Sequence, residues 1–183
     1  MPDRVRTPRR RKIWATRNGI FPVATGSSVE RLDLLADYYT DMGITDTGGL
    51  TVMRIIGSVR LVEYAQATSA AFDNVQLGIM WDNKSTGTGA EPWASGTREG
   101  EWICQGWVRG GESSSGAYVG KPAMQADGLS PDGTDTWNCD SHQMRKQPTP
   151  NHGLFLNWKA QSGNWEDDKV ALNINLSCWL ALP

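Results

Sequence analysis

Apolar residues alternate with polar or small ones along much of the chain. The clearest case is 169–183, KVALNINLSCWLALP, where Val170, Leu172, Ile174, Leu176, Cys178, Leu180 and Leu182 take every second position. Side chains alternate faces along a strand, so this register makes one continuous apolar face, whereas a helix would scatter the same residues. At about 3.3 Å per residue the segment would be roughly 40 Å long, which is long for a strand in a globular sheet. The pattern predicts that it slots into a sheet built by the rest of the chain.

Other segments repeat the two-residue period. Across Leu50–Glu63, Met53, Ile55, Val59 and Leu61 alternate with Arg54, Ser58 and Arg60, and Gly57 interrupts the row as a bulge or close approach would. Val75, Leu77, Ile79 and Trp81 alternate with Gln76, Gly78, Met80 and Asp82. Glu101–Arg109 has apolar residues on both sides, Trp102, Cys104 and Val108 against Ile103 and Trp107. Thr136–Gln147 alternates weakly, and Gly153–Ala160 strongly through Leu154, Leu156 and Trp158.

One stretch reads as a helix. Ser27 with Glu30 fits a capping box, Val29, Leu32, Leu35, Ala36 and Tyr39 recur at helical spacing, and Gly43 follows as a stop, which predicts a helix over 27–42. Ile13–Ala24 reads as an extended connector, and Ala65–Phe72 as a loop or a short turn of helix. Two long polar excursions, 83–100 and 110–135, separate the strands. Several strands, one helix and long loops predict an all-β fold, an antiparallel β-sandwich of jelly-roll type with one short N-terminal helix. The expected division is a basic arm and connector over 1–26 and a single sandwich domain over 27–183.

Charge changes the picture at the N-terminus. The chain of 183 residues carries a net −2, but residues 1–17 hold seven basic residues against Asp3, or +6, so the remainder carries −8. The leader MPDRVRTPRRRK has two prolines and almost no apolar content, so it gains too little from burial to order itself. It is expected to be a disordered or extended arm, with Arg4, Arg6, Arg9, Arg10, Arg11 and Lys12 contacting nucleic acid or an acidic neighbour. The alternative is a solvated leader that aids solubility.

The size allows a real core without disulfides. Cys104, Cys139 and Cys178 are odd in number and widely spaced, and read as reduced structural residues of a protein made in a cytoplasm. No apolar run approaches the about 18 residues that cross a bilayer, and no membrane partner is expected.

Enzymatic chemistry finds little support. Cys139, His142 and His152 fall in one region, but Cys-x-x-His without a fourth matched ligand is a weak metal signal, and unrelated polar residues beside a proline-rich turn explain them better. Glu91, Glu99, Asp127, Asp132 and Asp135 are loop acids with nothing to select a catalytic pair. No metal, cofactor or catalytic residue is expected. The nine tryptophans are the outstanding compositional feature. Spread over strands and loops, they suit core and subunit contacts better than one sugar-stacking platform. Trp179 lies opposite the apolar row of the last strand and needs a cover; Trp93, Trp107 and Trp179 are the expected interface residues.

The basic leader ending RRRKIWAT, the segments LDLLADYYTDMG, GLTVMRIIGSVRL and GLFLNWKA, and the ending VALNINLSCWLALP together resemble small virion proteins of bacteriophages and environmental viruses. The resemblance implies a jelly-roll-like sandwich in a capsid shell or attached to one, with no catalytic residues to carry over. The expectation is a non-enzymatic virion structural protein, made in the host cytoplasm, that self-assembles into or decorates an icosahedral capsid. Its expected partners are copies of itself, other virion proteins and nucleic acid through the arm. The alternatives are a tail or head–tail component, a carbohydrate-binding host-recognition module, and a nucleic-acid-binding protein outside the virion.

Overall fold

The structure, a computed structural model, describes residues 12–24, 28–36, 38, 50–63, 71–72, 74–85, 89, 92, 100–109, 136–160, 163–164 and 170–182. Arg4, Arg6, Arg9, Arg10, Arg11, Trp93, the excursion 110–135 and most of 83–100 lie outside these residues. The strands are β1 (Lys12–Pro22), β2 (Glu30–Asp33), β3 (Thr51–Glu63), β4 (Ala71–Phe72), β5 (Asn74–Asn83), β6 (Gly100–Arg109), β7 (Thr136–Lys146), β8 (His152–Ala160), β9 (Gly163–Asn164) and β10 (Val170–Ala181).

Eight of them form two four-stranded antiparallel sheets, β1-β10-β3-β7 and β2-β8-β5-β6, while β4 and β9 pair separately. Among those eight, the first pairs with the last (β1 with β10), and then β2 with β8, β3 with β7 and β5 with β6. Such nested pairing is one long hairpin rolled up, and the β10–β3 and β8–β5 ladders join its turns into sheets. That order is a jelly roll, as the strand patterns predict.

The long C-terminal strand is central to this closure. Leu172, Ile174, Leu176, Cys178 and Leu180 of β10 are all fully or almost fully buried, while Asn173 and Asn175 on the other face are exposed. They meet Ile55, Val59 and Leu61 of β3, and across the sandwich Val75, Leu77 and Ile79 of β5 and Leu154, Leu156 and Trp158 of β8, in one core. Gly57 is indispensable to the middle of the first sheet: its φ is +149°, and a Cβ there would fall 2.0 Å from the Asn175 carbonyl oxygen.

Four local expectations are corrected. The stretch read as a connector over Ile13–Ala24 is mostly β1, paired with β10 from Lys12 opposite Ala181 to Pro22 opposite Ala171. The predicted helix gives way at Glu30–Asp33 to β2, laid along β8, with bends at Leu34 and Leu35. Only Ala36 and Tyr38 are helical among the described residues there. The capping-box acid is used otherwise, since Glu30 Oε2 accepts the Ala24 amide at 3.4 Å. The Leu34 amide donates to the Leu154 carbonyl at 2.9 Å, so pairing with a neighbouring strand overrides local helical spacing.

The other two corrections come from bulges. In β3 the register against β10 passes from Val52 opposite Leu180 to Arg54 opposite Trp179, which makes Met53 the extra residue, so fully buried Val52 takes the core position expected for Met53. In β6 the shift between its Ile79 and Met80 partners makes Ile103 the extra residue and turns Trp102 away from Cys104. The Trp102 ring instead covers Gly78, where a Cβ would sit 2.3 Å from it. In addition, Ala71–Phe72, the end of a stretch expected as a loop or a short turn of helix, forms β4.

Candidate assembly surface

The outer face of the first sheet is set by the register of β1, β10, β3 and β7. Trp14 faces Trp179, which faces Arg54; Thr16, Ser177, Ile56 and Asp140 form the next row. Asn18, Asn175, Ser58 and Asn138 follow, and then Ile20, Asn173, Arg60 and Thr136. The face is therefore a polar field with apolar residues near the edge formed by β1. Trp14 is 51% exposed and Ile20 52%, large apolar side chains at either end of that strand.

Trp179 does find a cover, and it comes from β1. The Trp14 and Trp179 rings stack with centroids 5.8 Å apart and planes 17° from parallel. The Lys12 ammonium sits 4.4 Å from the Trp179 ring centroid, where the ring quadrupole attracts a cation. The first described residue after the basic leader is thus anchored on the tryptophan ridge. Beside it the Arg54 guanidinium donates to both Asp140 carboxylate oxygens, at 2.8 and 2.6 Å. That bond from Asp140 holds the Arg54 pKa above its ordinary value. Thr16 and Ser177 hydroxyls share a hydrogen bond at 2.9 Å.

Trp107 stands 54% exposed on β6, the edge strand of the second sheet, away from the ridge. The outer face of that second sheet is otherwise largely covered. Met80, Asp82 and Asn157 are buried there, and a Cβ on Gly89 would fall 2.7 Å from Val29 and 3.0 Å from the Asn157 side chain, so the chain packs closely over β8. Arg31 lies 3.5 Å above the Phe155 ring and pairs with Asp82 at 3.4 Å, with both side chains nearly inaccessible.

Of the three residues weighed as a metal site, the His142 side chain lies outside the described residues. Cys139 is buried between the sheets, whereas His152 is exposed at the start of β8 and stacks on Trp81 with centroids 6.4 Å apart. Among the described residues, no three His, Cys, Asp or Glu side chains are grouped to hold a metal. His152 and Trp81 instead line an open cleft of ≈ 390 Å³ with Arg145, Lys146, Gln147 and Thr149. Lys146 is engaged by Glu101. This cleft lies at the end of the sandwich where β1 begins, because Val52, next to the partner of Ala181, also faces Lys146.

Sequence reasoning therefore placed Trp107 and Trp179 on strands and missed Trp14, the most exposed member of the ridge. A signal was present: Lys12, Trp14, Thr16, Asn18 and Ile20 take alternate positions, the outward row of a strand.

No family model and no curated protein matches the sequence. Among solved structures, the chain is similar to the coat protein of Tobacco streak virus, with 9% identity over 98% of this chain and 92% of that one and a TM-score of 0.44. It is also similar to a chain of Desmodium yellow mottle tymovirus, with 10% identity over 100% of this chain and 91% of that one and a TM-score of 0.38. The assignment of the jelly roll rests on the strand order itself.

Proposed function

We propose that the chain is a non-enzymatic virion structural protein that self-assembles into a capsid or decorates one. The observation that carries this reading is the tryptophan ridge at an exposed sheet edge, with Lys12 seated on it. Lys12 opens β1 directly on Trp179 and beside Trp14, and among the described residues β1 pairs with β10 alone. An eleven-residue edge strand bearing two half-exposed large apolar side chains is a hazard for a monomer and a ready contact for an assembly. Large aromatic residues are the usual anchors of such contacts. Jelly rolls serve capsids among other roles, which makes the fold compatible with the reading.

In this reading Trp14, Trp107 and Trp179 contribute subunit contacts, as Trp93 does from its loop. Arg4, Arg6, Arg9, Arg10 and Arg11 reach nucleic acid or the acidic body of a neighbouring subunit, and Lys12 marks where the arm joins the sandwich. The partners are copies of the same chain and other virion proteins, and the location is the virion.

The test is assembly as a function of protein concentration by light scattering, for the full chain and for Trp14→Ala. Concentration-dependent growth that Trp14→Ala weakens by at least about thirtyfold, the equivalent of about 2 kcal/mol, supports the proposal. A strict monomer at every concentration for both proteins overturns it. One observation favours a second reading: the stacked Trp14–Trp179 pair is flanked by Thr16, Ser177, Asn18 and Asn175, a combination that also suits a sugar ring. Glycan binding by the monomer, lost in Trp14→Ala, would select it.

A further inference from the structure

The three cysteines are not equivalent in the fold. Cys178 is sealed in the core, but Cys104 on β6 and Cys139 on β7 place their sulfurs 3.1 Å apart, both as free thiols. These strands belong to different sheets and lie on the same side of the sandwich, as the edges of their sheets. Three contacts, spaced along both strands in antiparallel order, hold this seam. Lys146 pairs with Glu101, the Cys139 and Cys104 sulfurs meet, and the Trp137 ring lies over Gly106. A Cβ on Gly106 would fall 2.1 Å from the Trp137 indole nitrogen, so the close approach is built into the sequence.

We propose that Cys104 and Cys139 form a redox-active pair that closes this seam as an inter-sheet disulfide when the protein leaves a reducing compartment. A disulfide bond is about 2.05 Å long, so the sulfurs need to approach by only about 1 Å, and the strands are already held together on both sides of the pair. Cys104 is half-buried, while Cys139 is 3% exposed. The Cys139 thiol, hydrogen-bonded to Cys104, lowers the Cys104 pKa, and the same interaction together with burial raises that of Cys139. Cys104, the more exposed of the two, is the thiol that meets an external reagent first.

The oxidant is a small external disulfide of the glutathione type. The Cys104 thiolate attacks one of its sulfurs, forming a mixed disulfide and releasing one thiolate. Cys139 then loses its proton and attacks the Cys104 sulfur, forming the internal bond and releasing the second thiolate. Two electrons pass from the protein thiols to the external disulfide, whose two halves leave as thiols carrying the two protons. The new bond encloses residues 105–138 in a covalent ring, including the long polar excursion. Closing a loop of that length restricts the unfolded chain and raises the melting temperature, by roughly 10 °C on the chain-entropy account. This inference does not depend on the role proposed above.

The experiment treats the reduced full chain with oxidised glutathione at neutral pH and follows it by intact mass, thiol alkylation after denaturation, and non-reducing peptide mapping. The expected product is monomeric in covalent mass and lighter by about 2 Da, with one alkylatable thiol at Cys178 and a Cys104–Cys139 linked peptide. Cys178→Ser should behave like the wild type, and Cys104→Ser, altered at a half-buried position, should lose the mass change while staying folded. A persistent glutathione adduct on Cys104, a covalent dimer through Cys104, a linkage to Cys178, or three thiols unchanged would each overturn the proposal.

Discussion

Truncating Ile174 and its sequence neighbour Asn175 to alanine should give opposite results, because the two side chains lie on opposite faces of β10. Ile174 is fully buried and faces Gly19 on one side and Val59 on the other. Ile174→Ala removes the equivalent of three methylene groups, worth about 2.4 kcal/mol of transfer free energy at about 0.8 each. A close-packed core relaxes only partly, so the cavity brings the loss to about 3–4 kcal/mol. Against a total stability of roughly 5–15 kcal/mol this is a large fraction, and it lowers the melting temperature by roughly 6–16 °C for a chain of this size. Asn175 is exposed between Asn18 and Ser58, and Asn175→Ala should stay within about 0.5 kcal/mol of the wild type. Urea unfolding followed by tryptophan fluorescence measures both, and an unchanged slope licenses reading the midpoints as stability. An Ile174→Ala midpoint equal to the wild type, or an Asn175→Ala loss of similar size, would show that the register of β10 is wrong.

Three further outcomes are expected. Asp82→Asn removes the carboxylate paired with the nearly inaccessible Arg31 cation, which keeps its hydrogen bond to the Asn83 carbonyl, and should cost about 1–3 kcal/mol in the same assay. Burial pushes the Cys178 thiol from its ordinary 9.0 up to about 12, so the folded state holds the proton more tightly than the unfolded one. The stability this contributes is complete below pH 9.0 and is lost as pH rises toward about 12, so any advantage of the wild type over Cys178→Ala should shrink across that window. Deleting Met1–Arg11 removes five arginines ahead of β1 and should leave the melting temperature within experimental scatter. If the arm's partner is nucleic acid, the deletion also reduces the salt slope of binding by up to about 0.9 per lost phosphate contact. Equal nucleic-acid binding with and without the arm would shift its role to a neighbouring subunit.

The parts of the fold legible in the sequence were those where one residue period had no competitor. In β5, β8 and β10 large apolar side chains hold alternate positions without interruption, and the core follows from them directly. β1 was obscured because its inward row is Ile13, Ala15, Arg17, Gly19 and Phe21, in which large apolar residues stand only at the two ends. The Arg17 guanidinium lies 5.5 Å from the Phe21 ring, a contact that no alternation pattern anticipates. The segment around β2 has helical spacing, and it forms a strand only because β8 offers an open edge. That information is absent from local sequence. Bulges hid the true neighbours of Met53 and Ile103, since a one-residue insertion reverses the face of every position beyond it. The same limit applies to the candidate surface: Trp179 could be placed on an outward face, but its partner Trp14 is far away in sequence. The Cys104–Cys139 approach spans two sheets and is visible only in three dimensions.

Electron microscopy of the purified 183-residue chain shows whether it builds a shell, as proposed. The protein is imaged with and without nucleic acid at low and moderate salt, alongside Trp14→Ala and the deletion of Met1–Arg11. Closed particles or regular lattices of the full-length chain, impaired by Trp14→Ala, are the predicted result. Single dispersed subunits under every condition, with no ordered assembly for any of the three proteins, would rule out a shell-forming role.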